Sequence, residues 1–296
     1  MSGGLKEVRN RIVSVQSTSQ ITQAMKMVSA AKLRRAQDAI VRMRPYAEKL
    51  QEILSNVSSS LDSSEGVYSV QREEKNVLMV AITSNRGLCG GFNNNVIKRI
   101  NELIASDYSD ANVNVLALGK KANDAFSKLG LVTTEGFNDQ PYLIYDDLTF
   151  GASSEIAQAI MDQFVAGKYD KVVLVYNQFK NAATQILRTE QMLPVLPLET
   201  TGDEEEVASN NEYIFEPTRA DIIERIIPNS LKVQLFKGLL DSYASEHGAR
   251  MTAMHKATDN ANDLVKELKL SYNKARQAAI TNEILEIVGG AEALNG

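Results

Sequence analysis

Proline is almost missing from the two ends of this chain, and that limits what the ends can become. Of six prolines, only Pro45 precedes residue 61 and none follows Pro228. Proline locks φ and removes a backbone donor, so its absence leaves long stretches free to stay helical. Hydrophobic spacing agrees. Leu5, Val8, Ile12 and Val15 step by three and four. After a polar stretch from Ser17 to Gln20, Ile21, Met25 and Val28 are expected to resume the stripe. Ala36, Ile40, Met43, Ala47, Leu50, Leu54, Val57 and Leu61 then hold a coiled-coil period. The pattern predicts one helix over 5–61, roughly 80–85 Å long, bent at Pro45, which cannot donate to the Val41 carbonyl.

The other end mirrors it. Thr218 with Asp221 three residues later reads as a helix start, which Pro228 is expected to interrupt. From Asn229 to Val288 there is no proline. Leu231, Leu235, Leu239, Met254, Ala261, Leu264, Leu268, Ala275 and Ala279 mark the expected seam of a helix about 90 Å long. Neither helix can bury its stripe alone. The simplest solution is to pair them, antiparallel, across an intervening domain.

The middle reads as that domain. Val77–Ile82, Val113–Leu118 and Val172–Tyr176 are short β-branched runs bounded by turn residues. Helical stretches at Asn94–Ala105, Lys120–Leu129 and Ser154–Ala166 alternate with them. This alternation predicts a small Rossmann-like parallel α/β domain, with a further strand pair at Ala183–Leu193 and Glu212–Phe215. The expected division is a coiled-coil helix over 1–61, a linker over 62–75, the α/β domain over 76–217 and a coiled-coil helix over 218–296. Within the domain, 198–211 is an acidic loop carrying Asp203-Glu-Glu-Glu206.

Composition excludes several classes. The chain has 296 residues, 44% of them hydrophobic, and a net charge of −5, so it is not built to coat nucleic acid. A single cysteine, Cys89, allows no internal disulfide and fits a reducing compartment. No apolar run reaches the roughly 20 residues that span a bilayer, and MSGGLKEVRNRI has no signal-peptide core. Membrane association is therefore expected only through partners. His247 and His255 lie eight apart on the second helix, without the i, i+4 spacing that chelates a metal. No metal and no cofactor are expected.

Three features suggest chemistry or binding. The turn Ser84–Asn93 (SNRGLCGGFN) joins a strand to a helix, where glycines can cradle phosphate. It lacks both GxGxxG and the Lys-Ser/Thr of a P-loop, so a tight β–α turn explains it more simply. From Lys26 to Arg44, Lys26, Lys32, Arg34, Arg35, Arg42 and Arg44 point around most of the helix, with Asp38 the one acid. Basic groups on every side suit a rod surrounded by acidic protein surfaces. Finally, Ile280, Ile284, Leu285, Ile287 and Val288 cover too wide an arc for one seam. This tip is expected to stand as a single apolar helix, which is stable only inside something.

These residues carry a family resemblance. Leu5–Ile12 (LKEVRNRI) and Ile21–Gln37 (ITQAMKMVSAAKLRRAQ) resemble the N-terminal signature of ATP synthase gamma subunits. Ala244–Asn260 (ASEHGARMTAMHKATDN) and Ser271–Val288 (SYNKARQAAITNEILEIV) resemble the C-terminal ones, and Ser84–Phe92 resembles the family's glycine turn. The resemblance spans essentially the whole chain. It departs at Asn282, at the acidic loop and at Ser2-Gly3-Gly4.

The resemblance implies a non-catalytic rotor shaft inside a ring of three alpha and three beta subunits, its foot on the membrane c-ring and the epsilon subunit. Proton flow would turn ring and shaft together. It implies that Met25, Lys26, Arg34 and Arg35 pass acidic surfaces of beta, and that Arg250, Gln277, Thr281 and Glu283 meet a beta loop along the upper shaft. Tyr213 and Glu216 would meet the c-ring and epsilon subunit. The location implied is the cytoplasmic side of a bacterial inner membrane, peripheral. Two other readings stay open: a nucleotide-binding α/β enzyme with a coiled-coil appendage, and a cytoskeletal or scaffold coiled coil.

Overall fold

The computed structural model describes residues 2–58, 67–137, 139–195 and 219–295. Both terminal helices are present, and the last is longer than its pattern suggested. Helix α1 runs Ser2–Ser58 with Pro45 inside it. The last helix, α5, runs Arg219–Asn295. It starts one residue after Thr218 and continues straight past Pro228, so the expected interruption there does not occur. Proline costs a helix one hydrogen bond and a local clash, which neighbouring turns and tertiary packing can outweigh.

Between them lie β1 (Asn76–Ile82), α2 (Phe92–Ala105), β2 (Asn112–Leu118), α3 (Lys120–Phe126), a 3-10 turn at Pro141–Asp146, α4 (Phe150–Val165), β3 (Lys171–Phe179) and β4 (Gln185–Leu193). The sheet order is β2-β1-β3-β4. β1 is parallel to β2 (Asn76 opposite Asn112) and to β3 (Val77 opposite Lys171), while β4 folds back antiparallel on β3. The sheet is therefore mixed, with one antiparallel edge on a parallel core. The hairpin turn explains the edge: Asn181 Oδ1 accepts from Ala183 N and Thr184 N at 3.0 and 2.7 Å, closing a tight turn after β3. The expected strand at 212–215 and the acidic loop lie outside the described residues.

The chain forms two compact units, Met1–Ala30 with Arg250–Gly296, and Ala31–Ala249. The second holds the sheet, buried on both faces. Leu78, Val80 and Ile82 of β1 point to a layer with Ile160 and Phe164 of α4 and Leu231, Leu235 and Leu239 of α5. Val77, Met79 and Ala81 point the other way, to Val96, Ile100 and Leu103 of α2 and Phe126 of α3. Period-two alternation along one strand thus feeds two cores, and that is why the strands read as unbroken apolar runs. Gly238 of α5 faces Ile82 and Tyr176 in this layer.

In the first unit the helices pair through seams that differ in part from the expectation. On α1 the covered residues step through Leu5, Val8, Ile12 and Val15 to Ser19, Thr22 and Ser29, with Met25 and Lys26 half-buried. Ile21 and Val28 are 60% and 58% exposed and lie outside the seam. The rhythm of threes and fours from Leu5 never breaks; it passes through small polar residues, and apolar identity at 21 and 28 misleads. On α5 the seam holds Met254, Thr258, Ala261, Val265, Leu268 and Tyr272, while Ala275 is exposed.

Two measurements probe the sheet unit. Gly119 has φ +129, and a Cβ there would collide with the Thr83 backbone carbonyl. Gly119→Ala should cost about 2–4 kcal/mol in chemical denaturation. Gly87→Ala, where a Cβ meets open space, should stay within roughly 0.5 kcal/mol. The Tyr176 hydroxyl donates to Glu190 Oε1 at 2.9 Å, and burial first, then the Glu190 charge, pushes its pKa well above the ordinary value. A phenol raised in the folded state stabilises fully below its unfolded pKa near 10 and loses that contribution as pH climbs past it. Tyr176→Phe should therefore cost about 1 kcal/mol at pH 7, and the gap to the parent should shrink in urea melts above pH 10.

Candidate functional site

Three cross-helix contacts fix how α1 and α5 meet in the first unit. Ser19 Oγ donates to Asn262 Oδ1 at 2.8 Å, Thr22 and Thr258 hydroxyls lie 2.7 Å apart, and Lys26 Nζ lies 3.3 Å from His255 Nδ1. In each pair the two residue numbers total 280 or 281, as an antiparallel register requires. The same register sets Val15 level with Val265, Ile12 with Leu268 and Val8 with Tyr272. It also means that α1 is exhausted opposite about residue 280.

Beyond that point no described residue covers α5. Every residue from Ile280 to Ala291 is exposed. Ile280, Ile284, Leu285, Ile287 and Val288 are between 48% and 66% exposed. On a helix these five span about 160° of arc. Thr281 and Glu283 sit on this stretch and Gln277 just before it, all exposed. The Thr281 hydroxyl turns back to the Gln277 carbonyl at 3.0 Å, so it is held by its own helix.

The other predicted contact residues are placed differently. Met25 and Lys26 are half-buried at the paired helices, and His255, which faces Lys26, also lies 3.4 Å from Asp259 Oδ2. Arg34 and Arg35 are exposed on the part of α1 that belongs to the sheet unit. Arg250 is only 6% exposed, so its guanidinium is enclosed by its own chain. Tyr213 and Glu216 lie outside the described residues. The structure thus sets Thr281 and Glu283 on the unpaired stretch, with Gln277 exposed one turn before it, and Met25 and Lys26 on the paired one.

One surface escaped the sequence reading. From Ile12 to Met25 α1 carries no charged residue, and Val13, Ile21, Met27 and Val28 are exposed along its outer side. The level stretch of α5 carries Lys256, Asp259, Asp263, Lys266 and Glu267, all exposed. The paired helices therefore present one neutral face and one charged face. Continuing the heptad through Ser19 and Thr22 would have found it, because that continuation turns Ile21 and Val28 outward.

The glycine turn is closed by its own residues. In doubly wound sheets, ligands settle where the chain reverses strand order, outside the carboxyl ends of the strands. Here that place lies beyond β1 and β3. Asn93 Oδ1 accepts from Ser84 N at 2.9 Å, Asn93 Nδ2 reaches Ser84 Oγ and Cys89 Sγ, and Asn177 Nδ2 from β3 donates to the Phe92 carbonyl at 3.0 Å. The first amides of α3 are occupied too. Asn85 Oδ1 accepts from Lys120 N, the Ser84 carbonyl from Lys121 N, and Thr83 Oγ1 from Ala122 N. These side chains and carbonyls hold the turn together. Leu88 (φ 63) and Gly90 (φ 61) supply the left-handed backbone that folds it. Among the described residues no His, Cys, Asp and Glu cluster could hold a metal, and no helix is long and apolar enough to cross a membrane.

Known proteins agree with this architecture along its length. The family model for ATP synthase matches residues 4–294. The ATP synthase gamma chain of Flavobacterium johnsoniae is 61% identical over 293 residues, covering 99% of both chains. That of Flavobacterium psychrophilum is 60% identical over 293 residues, again covering 99% of both. Among solved structures, a chain of the Euglena gracilis mitochondrial ATP synthase (OSCP/F1/c-ring, rotational state 3) shares the fold. It has a TM-score of 0.67 and 21% identity, over 99% of this chain and 95% of that one. With the family model matching nearly end to end, and with paired terminal helices flanking a small α/β domain, the chain belongs to the ATP synthase gamma-chain family.

Proposed function

We propose that this chain is the rotating central shaft of a proton-driven F-type ATP synthase, standing as one copy inside a ring of alpha and beta subunits. One observation carries the reading: α5 outruns α1 and leaves its last turns, rich in isoleucine and leucine, uncovered by their own chain. A bare apolar helix of that length persists only inside an apolar sleeve. The family is that of a subunit without catalytic residues, and the closed glycine turn leaves the nucleotide-enzyme alternative without a cradle.

The shaft would act by shifting conformational populations. A two-helix rod with a neutral face and a charged face shows different contacts to three equivalent partners at any angle. Each partner then favours the conformation that suits the face it meets, and turning the rod passes those preferences around the ring. Segments 1–61 and 218–296 would form the shaft, and 76–217 the foot on the c-ring, with Tyr213 and Glu216 at the epsilon and c-ring contact. Met25, Lys26, Arg34 and Arg35 would pass acidic surfaces of beta. Gln277, Thr281 and Glu283 would meet a beta loop, while buried Arg250 suits a support beneath that surface better than a part of it. Membrane association would run through these partners, on the cytoplasmic side of a bacterial inner membrane.

Coexpression with the alpha and beta subunits of the same organism tests this. One chain should copurify with three of each. Removing residues 281–296 should leave the melting of the isolated chain unchanged, since residues 281–291 are exposed along their whole length. It should weaken assembly by at least roughly tenfold, the scale of losing even one buried aliphatic side chain. Assembly of the truncated chain at full affinity, together with unchanged ATP hydrolysis after Arg34→Glu and Arg35→Glu, would contradict the contact roles. Failure to copurify, with micromolar nucleotide binding that Gly90→Val abolishes, would restore the enzyme reading.

A further inference from the structure

The seam of the first unit changes chemistry along its length. Toward the N-terminus of α1, aliphatic residues meet aliphatic and aromatic ones. Between Ser19 and Ser29, α1 offers hydroxyls instead, and Ser19, Thr22 and Ser29 are all buried. Ser19 Oγ donates to Asn262 Oδ1 at 2.8 Å, and the Thr22 and Thr258 hydroxyls lie 2.7 Å apart. Each threonine also reaches a carbonyl of its own helix, Ser19 O at 3.0 Å from Thr22 and Met254 O at 2.8 Å from Thr258. A hydroxyl has one proton, so two protons serve three contacts. Either Thr258 donates to Thr22 and Thr22 to the Ser19 carbonyl, or Thr22 donates to Thr258 and Thr258 to the Met254 carbonyl. Both arrangements link the two helices in one hydrogen-bonded chain.

We propose that this polar layer, Ser19 and Thr22 against Thr258 and Asn262, locks the two helices against sliding along each other. Apolar packing cannot do this alone, because it has no direction and repeats every seven residues. If α1 slid by one heptad toward the C-terminal end of α5, Val15 would meet Tyr272 and Ile12 would meet Ala275, both tolerable. Thr22 would then meet Val265 and Ser19 would meet Leu268, and every cross-helix hydrogen bond would be gone. A slide the other way sets Leu5 on Leu268 and Val8 on Val265, again tolerable, while Thr22 meets Met251 and Thr258 meets Val15. Among the contacts described for the first unit, the polar ones distinguish the three registers, which is the attested use of a buried polar group in a coiled coil. No short turn fixes the register either, since α1 and α5 connect only through the chain between Ser58 and Arg219. The lock stands whether or not the rod turns inside partners.

Pulsed electron-spin distance measurement on the full chain tests it. Spin labels go on Arg9→Cys and Lys256→Cys, both exposed, in a Cys89→Ser background. The parent should give one narrow distance. Thr22→Val with Thr258→Val keeps the seam volume and removes the hydroxyls. It should raise a second population, displaced by about 10 Å for a one-heptad slide, roughly fivefold or more above the parent's. Thr22→Ser with Thr258→Ser keeps the hydroxyls and should restore the single distance. A folded double-valine chain that keeps the parent distribution overturns the lock. If that chain fails to fold, Ser19→Ala with Asn262→Ala decides by the same readout: a slid population supports the lock, and the parent distribution overturns it.

Discussion

An amphipathic helix longer than its domain is unstable in water until something covers its apolar stripe, and much of this molecule follows from how two such helices cover each other. α1 and α5 meet antiparallel in a register that the Thr22–Thr258 and Ser19–Asn262 contacts define. α5 is the longer, at 77 residues against 57, and the pairing uses up α1 near residue 280. The remainder of α5 is then apolar and bare by arithmetic. A protein with such a tip is built to be enclosed, and the covering surface has to come from other chains.

The same helix α5 also walls the sheet unit. Leu231, Leu235 and Leu239 join the core with β1, β3 and α4, and Gly238 faces Ile82 and Tyr176 there. One continuous helix therefore contributes to both compact units. The sheet itself has the connectivity of a nucleotide-binding fold, yet its switch point is filled by Ser84, Asn93, Asn177, Thr83 and Asn85. A fold shared with many enzymes is here used as a rigid body.

Much of this was legible in the residues. Proline distribution and the threes-and-fours spacing set out both long helices, and alternating β-branched runs set out β1, β2 and β3. The antiparallel turn-back of β4 was not legible, because β propensity carries no strand direction. The seam between residues 17 and 29 was misread for a physical reason: Ser19, Thr22 and Ser29 occupy core positions with polar side chains, satisfied only by groups far away in sequence, so hydropathy pointed to Ile21 and Val28. Pro228 misled similarly, since local propensity counts a broken hydrogen bond and not the tertiary packing that outweighs it. Of the contact residues, Thr281 and Glu283 lie on the bare stretch of α5, Gln277 is exposed just before it, and Arg250 lies inside.

Direct observation of rotation tests the central claim. With the alpha and beta subunits fixed to a surface and a bead attached through Lys98→Cys, on the exposed side of α2, ATP should drive the bead in one direction. It should advance in three equal steps per turn, one for each catalytic partner. An assembled complex that hydrolyses ATP while the bead only fluctuates about a fixed angle would contradict the account.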